Sequence, residues 1–156
     1  MVVFEVAGIE DLDQILDLLR DDPLSTSRES DDDAVYESAF NEIAADPNNH
    51  LLVGKDGGEV VAFLQLTIMP GIARVGTRRA QIESVRVRRS RRDEGIGRQL
   101  CEWSIDLARQ RGCGLIQLTT DRARPDASAF YERIGFVDSH RGMKMSLAPD
   151  EAEDSS

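Results

Sequence analysis

The strongest constraint lies in the middle of the chain. The apolar-alternating run Ala80–Val87 (AQIESVRV) leads into RRSRRDEGIG, and that into the apolar stripe Ile96, Leu100, Trp103, Leu107 and Ala108. Alternation predicts a strand and the 3.6-residue stripe an amphipathic helix ending near Gly112. Gly95 and Gly97 fall where strand turns into helix. Glycine there lets backbone N–H groups approach a ligand, and the first helical turn adds unpaired donors and a partial positive charge. A strand, a glycine loop and a helix N-terminus make either an anion cradle suited to a pyrophosphate or a tight strand–helix connection whose arginines are solvated. Arg88, Arg89, Arg91, Arg92 and Arg98 surround it. It is not a Walker loop, which needs Gly-Lys-Ser/Thr, and it lacks the third glycine of the dinucleotide fingerprint.

Around this centre the expected elements run as follows. Val2–Val6 is a strand, Asp11–Arg20 a helix, and Asp31–Ala45 a second helix carrying Val35, Phe40 and Ile43. His50–Lys55 and Glu59–Ile68 are strands joined by the DGG turn. Leu115–Thr119 is a strand, Asp126–Ile134 a short helix opened by Pro125 and closed by Gly135, and Phe136–Ser139 with Met143–Leu147 a final pair of strands. The order is mixed α/β. The 156 residues fit one domain over 1–148, followed by an acidic, disordered tail over 149–156.

Charge is uneven. Residues 1–73 carry net −13, residues 74–98 net +6 and residues 99–156 net −3, for −10 overall. A globally acidic chain is a poor nucleic-acid binder, whereas a local arginine stripe suits a small anionic ligand. There is also no helix-turn-helix signal and no interleaving of aromatics with the basic residues. The first residues show neither the basic region nor the apolar run of a signal peptide, and no apolar stretch approaches a membrane span. Cys101 and Cys113 read as reduced packing residues, which fits a cytoplasmic protein. His50 and His140 have no metal-ligand spacing, so no metal is expected.

Two motifs resemble the GNAT superfamily of acyl-CoA-dependent N-acyltransferases. Arg92-Asp93-Glu94-Gly95-Ile96-Gly97 is similar to that family's Arg/Gln-x-x-Gly-x-Gly/Ala loop. Ala127-Ser128-Ala129-Phe130-Tyr131-Glu132-Arg133-Ile134-Gly135-Phe136 is similar to its Ala-x-x-Phe-Tyr-x-x-x-Gly-Phe segment. The resemblance implies a mixed sheet of six or seven strands with about four helices. It implies acetyl-CoA as co-substrate, with Val85, Arg86 and Val87 holding the pantetheine arm through backbone groups. Backbone N–H groups of Asp93, Glu94, Gly95, Ile96, Gly97 and Arg98 would hold the pyrophosphate, and Arg124 would lie near the cofactor. Asp93 and Glu94 depart from the pattern, which often has glycine and then a basic residue. Two carboxylates there weaken phosphate binding unless they point outward.

The implied chemistry is acetyl transfer to a primary amine, by direct attack in a ternary complex. An amine of pKa about 10.4 must lose a proton, and a thiol of pKa about 8.5 leaves better with a hydroxyl beside it. Tyr131 is the expected general acid. Glu83, in a partly buried strand with 85 and 87 on its face, is the expected base, acting through water. A backbone N–H near Val85 would polarise the acetyl carbonyl. The acceptor is a small-molecule or peptide amine. The resemblance puts the acceptor side at the first two helices, where Asp21, Asp22, Glu29, Asp31, Asp32, Asp33 and Glu37 either attract a cationic amine or form a solvated acidic face. The family pattern is compatible with a homodimer. The alternative is a catalytically silent acyl-CoA-binding or sensing domain.

Overall fold

The computed structural model describes residues 1–22 and 28–148 and divides into two compact units, Met1–Leu118 and Thr119–Ser156. In the first unit β1 (Val2–Val6), β2 (Asn49–Asp56), β3 (Glu59–Met69), β4 (Arg78–Val87) and β5 (Cys113–Gln117) form one sheet in that spatial order. β1 to β4 pair antiparallel and β4 pairs β5 in parallel. A parallel pair needs a crossover, and α4 (Ile96–Gln110) supplies it. The β2–β3 hairpin closes through Gly57 and Gly58 at φ +59° and +88°, the left-handed pair that a two-residue turn requires.

The sheet is covered differently on its two faces. α1 (Leu12–Arg20) and α2 (Asp33–Ala45) lie on one. There Leu12, Ile15, Leu16, Leu18 and Phe40 bury against Leu51, Val53, Val60 and Phe63. α4 packs on the other, where Leu52, Leu64, Leu66, Ile68, Ala80 and Ile82 are fully buried. Burying each such side chain is worth about 1.5–3 kcal/mol. Trp103 on α4 stacks on Phe4 at 6.3 Å. β3 is buried continuously from Val60 to Leu64, then alternates from Gln65 onward. Both faces are therefore covered along its first half and only the α4 face along its second.

Between β3 and β4, α3 (Ala73–Gly76) is a single turn with Arg74 and Val75 at φ +57° and +61°. Val35, expected on the apolar stripe of α2, is exposed. Asp32, outside the helix, accepts from the Ala34 N–H and caps it.

In the second unit α5 (Pro125–Ile134) is the one regular element among the described residues. Here the sequence expectation needs correction. Neither Phe136–Ser139 nor Met143–Leu147 forms a strand, so among the described residues the sheet has five strands and not six or seven. Val137, Met143, Met145 and Leu147 are exposed. Alternation predicts a strand only where a neighbour offers a ladder, and a lone two-stranded ribbon is marginal in water. The acidic tail over 149–156 lies outside the described residues, as do residues 23–27.

Candidate functional site

β4 does not run straight. Glu83 pairs with Gln65 and Arg86 with Phe63, so Ser84 and Val85 together face the single residue Leu64. This is a β-bulge, with Ser84 at φ +59°. A bulge leaves backbone groups out of the ladder and re-aims the strand. It also shifts side-chain parity. The simple alternation that groups 83, 85 and 87 is interrupted, and Glu83 shares a face with Arg86, Gln65 and Phe63. Glu83 is exposed rather than partly buried, because this part of the α1/α2 face has lost its helical cover. Arg86 is held in place: its Nε stands 3.4 Å from Asp22 and its Nη1 donates to the Val85 carbonyl at 3.0 Å.

Directly after β4 a 3-10 turn, Arg89–Arg91, leads to the glycine loop. Gly95 at φ +81° precedes α4 and makes no side-chain cap. The first-turn N–H groups of this 15-residue helix are therefore free to meet an anion. A Cβ at Gly95 would meet nothing within 4 Å, so glycine is needed there for its left-handed φ alone. Asp93 also sits at a left-handed φ, +64°, which explains why glycine suits that position.

Most of the arginine stripe is occupied by carboxylates. Arg89 pairs with Asp21 at 3.2 Å, Arg98 with Glu102 at 2.7 Å, and Arg91 with Asp56 and Glu94, both at 3.0 Å. Arg88 donates to the Val60 carbonyl and lies 3.7 Å from Glu59. Arg92 makes only a long contact to the Val87 carbonyl. The carboxylate of Glu94 is thus turned to Arg91, and Arg92 is the cation of the loop that no described carboxylate neutralises. Charge counting along the sequence overstates the positive field here.

Beyond the helical cover the α1/α2 face of the sheet turns polar. Asn49, Thr67 and Gln81 are aligned across β2, β3 and β4, and Gln117 of β5 lies opposite Gln81. Arg79 continues this face toward the start of β4. Sequence reasoning missed it, although the polar spacing of Gln65 and Thr67, then Gln81 and Glu83, is a legible signal.

In the second unit Arg124 occupies the N-cap position of α5. Tyr131 on that helix has its ring against Phe130 at 5.0 Å and Phe136 at 5.9 Å, both edge-on. All three are half-buried rather than core.

The acidic residues of the first helices are partly committed. Asp22 holds Arg86, Asp21 holds Arg89, Asp33 holds Arg20 at 3.0 Å, and Glu29 accepts from the Tyr36 hydroxyl. Asp31 and Glu37 stay exposed. Both thiols are free, and burial pushes the Cys101 thiol up to about 12, far from a nucleophile at neutral pH. Among the described residues no acidic, histidine and cysteine side chains gather as a metal site, and no helix is long and apolar enough to cross a membrane.

Residues 12–136 match the sequence pattern described as "Acetyltransferase (GNAT) family". The aminoalkylphosphonate N-acetyltransferase of Salmonella typhimurium is 32% identical over 105 residues, 67% of this chain and 68% of that protein. The streptothricin acetyltransferase of Streptomyces lavendulae is 30% identical over 135 residues, 86% of this chain and 68% of that protein. Among solved structures, one from Bacillus halodurans described as a transcriptional regulator is 45% identical. It superimposes with a TM-score of 0.92 over 94% of this chain and 100% of that one.

Proposed function

The chain belongs to the GNAT acetyltransferase family, and from that premise we propose that it transfers the acetyl group of acetyl-CoA to a primary amine by direct attack in a ternary complex. One observation carries the donor side. The bulged end of β4 runs, through a left-handed glycine, into the uncapped first turn of α4. Those backbone donors fit a pantetheine amide and a pyrophosphate, and neither depends on the side chains that replace glycine and base at Asp93 and Glu94.

Acetyl-CoA supplies the thioester. Backbone groups of Val85, Arg86 and Val87 hold the pantetheine arm. N–H groups from Asp93 to Arg98 hold the pyrophosphate, Arg92 adds an uncommitted cation, and Arg124 flanks the cofactor. A backbone N–H near Val85, at the bulge, hydrogen-bonds the acetyl oxygen as charge develops on it. Glu83 accepts the amine proton through water, and the Tyr131 hydroxyl donates to the departing sulfur. The residues over 1–148 act as one acetyltransferase domain, in the cytoplasm and as a homodimer.

Release of free thiol from acetyl-CoA in the presence of a panel of primary amines tests this reading. Amine-dependent release supports it, and release that no amine stimulates opposes it.

A second reading is favoured by the 45% identical structure described as a transcriptional regulator: a silent acyl-CoA-binding or sensing domain. It predicts tight acetyl-CoA binding with no amine-dependent thiol release.

A further inference from the structure

The polar face beside Glu83 has a defined hydrogen-bonding pattern. Asp46 accepts from the Asn49 amide at 2.9 Å, which fixes that amide with its oxygen toward β3. The Asn49 oxygen then accepts from Gln65 Nε2 at 3.1 Å and Thr67 Oγ1 at 2.8 Å. This orients Gln65 with its own oxygen left over. On the next two strands Gln117 Nε2 donates to Gln81 Oε1 at 3.0 Å, leaving both N–H groups of Gln81 and, on Gln117, the oxygen and one N–H. Gln65 Oε1, Gln81 Nε2 and Gln117 Oε1 therefore have no partner among the described residues. With the second N–H of Gln65 and of Gln117 counted, the row offers an acceptor and a donor on β3, donors on β4, and an acceptor and a donor on β5. All three side chains are half-buried, where an unmet amide valence is costly unless a ligand or water meets it.

The face is continuous with the site. Glu83 lies directly opposite Gln65 and two residues beyond Gln81, which places it within one side-chain length of both. We propose that Gln65, Gln81 and Gln117 form the floor of the acceptor site and select a primary amine carrying hydroxyl groups over an alkyl amine of the same size. A hydroxyl both donates and accepts, so it meets a row that mixes donors and acceptors. An alkyl amine would cover three amide groups and leave them unpaired, and sites built on hydrogen bonds discriminate strongly against such analogues. This inference rests on the acetyltransferase reading above.

The test compares glucosamine with cyclohexylamine, each a primary amine on a six-membered ring. Wild-type protein, Gln81→Leu and Gln117→Leu are assayed by thiol release. Acetyl-CoA affinity is measured by calorimetry, and folding by thermal unfolding. The wild type is expected to favour glucosamine by about 100-fold in kcat/KM. Each variant loses about 10-fold to 100-fold on glucosamine, gains on cyclohexylamine because an amide that this amine leaves unpaired is gone, and keeps its acetyl-CoA affinity. Gln117, on the edge strand, provides the variant that least disturbs the core. Equal rates for the two amines in the wild type, no acetylation of either, or equal losses on both in the variants overturn the floor while leaving the donor site standing. Failure to bind acetyl-CoA removes the donor site and this inference with it.

Discussion

The carboxylate of Asp22 stands 3.4 Å from Nε of Arg86, with both side chains almost withdrawn from solvent. Asp22 follows α1 and Arg86 follows the bulge, so the pair ties the end of the first helix to the bulged segment of β4. Breaking a buried pair leaves the other charge uncompensated, at a cost of about 3–5 kcal/mol. Asp22→Ala is expected to lose about 3 kcal/mol in chemical denaturation. A loss under 1 kcal/mol would show that the pair does not anchor β4.

Asp93 predicts a change in the opposite direction. Its φ of +64° costs a non-glycine residue about 1 kcal/mol or more. Asp93→Gly removes that strain and a negative charge beside the first turn of α4. The variant is expected to be no less stable than wild type and to bind acetyl-CoA several-fold more tightly by calorimetry. Weaker binding would place the phosphates elsewhere.

How much of this was legible in sequence depends on range. The Gly95 loop, the α4 stripe and the Gly57-Gly58 hairpin rest on neighbours within a turn or two, and all appear as read. The bulge at Ser84 and Val85 depends on how β4 registers against β3, which no local pattern encodes, so simple alternation groups Glu83 with Val85 and Val87 where the structure groups it with Arg86. The arginines were misjudged for the same reason. Arg91 meets Asp56 across 35 positions and Arg89 meets Asp21 across 68. The Phe136–Ser139 and Met143–Leu147 segments show the converse, a local strand pattern with no ladder to join. For Tyr131 the family resemblance implies a role, and the structure adds its aromatic neighbours Phe130 and Phe136.

His50 carries a pH dependence. Burial, and then Arg111, hold its pKa below the ordinary value, and Arg111 Nη1 contacts His50 Nε2 at 2.9 Å. The neutral ring accepts this bond and the protonated ring cannot. A depressed folded pKa means the contribution is complete above the unfolded pKa of about 6.5 and is lost as pH falls through the folded value. Stability is expected to decline from about pH 6.5 downward, with a shallower decline in His50→Gln. Identical pH profiles for the two proteins would contradict this.

Tyr131→Phe separates chemistry from binding. The ring contacts with Phe130 and Phe136 survive the change, so the fold is kept. Loss of a general acid is expected to lower kcat by about 100-fold or more while acetyl-CoA affinity stays within about 2-fold. An unchanged kcat would remove Tyr131 from the chemistry.

Acetyl-CoA is expected along the bulged end of β4 and the first turn of α4. Calorimetric titration with acetyl-CoA, and with its 3′-dephospho analogue as control, tests it most directly. Micromolar affinity is the expected result, reduced on loss of the 3′-phosphate if a free cation such as Arg92 serves that group. Absence of binding up to millimolar ligand would contradict the account, because the backbone donors at Gly95 to Arg98 would then not form an anion site.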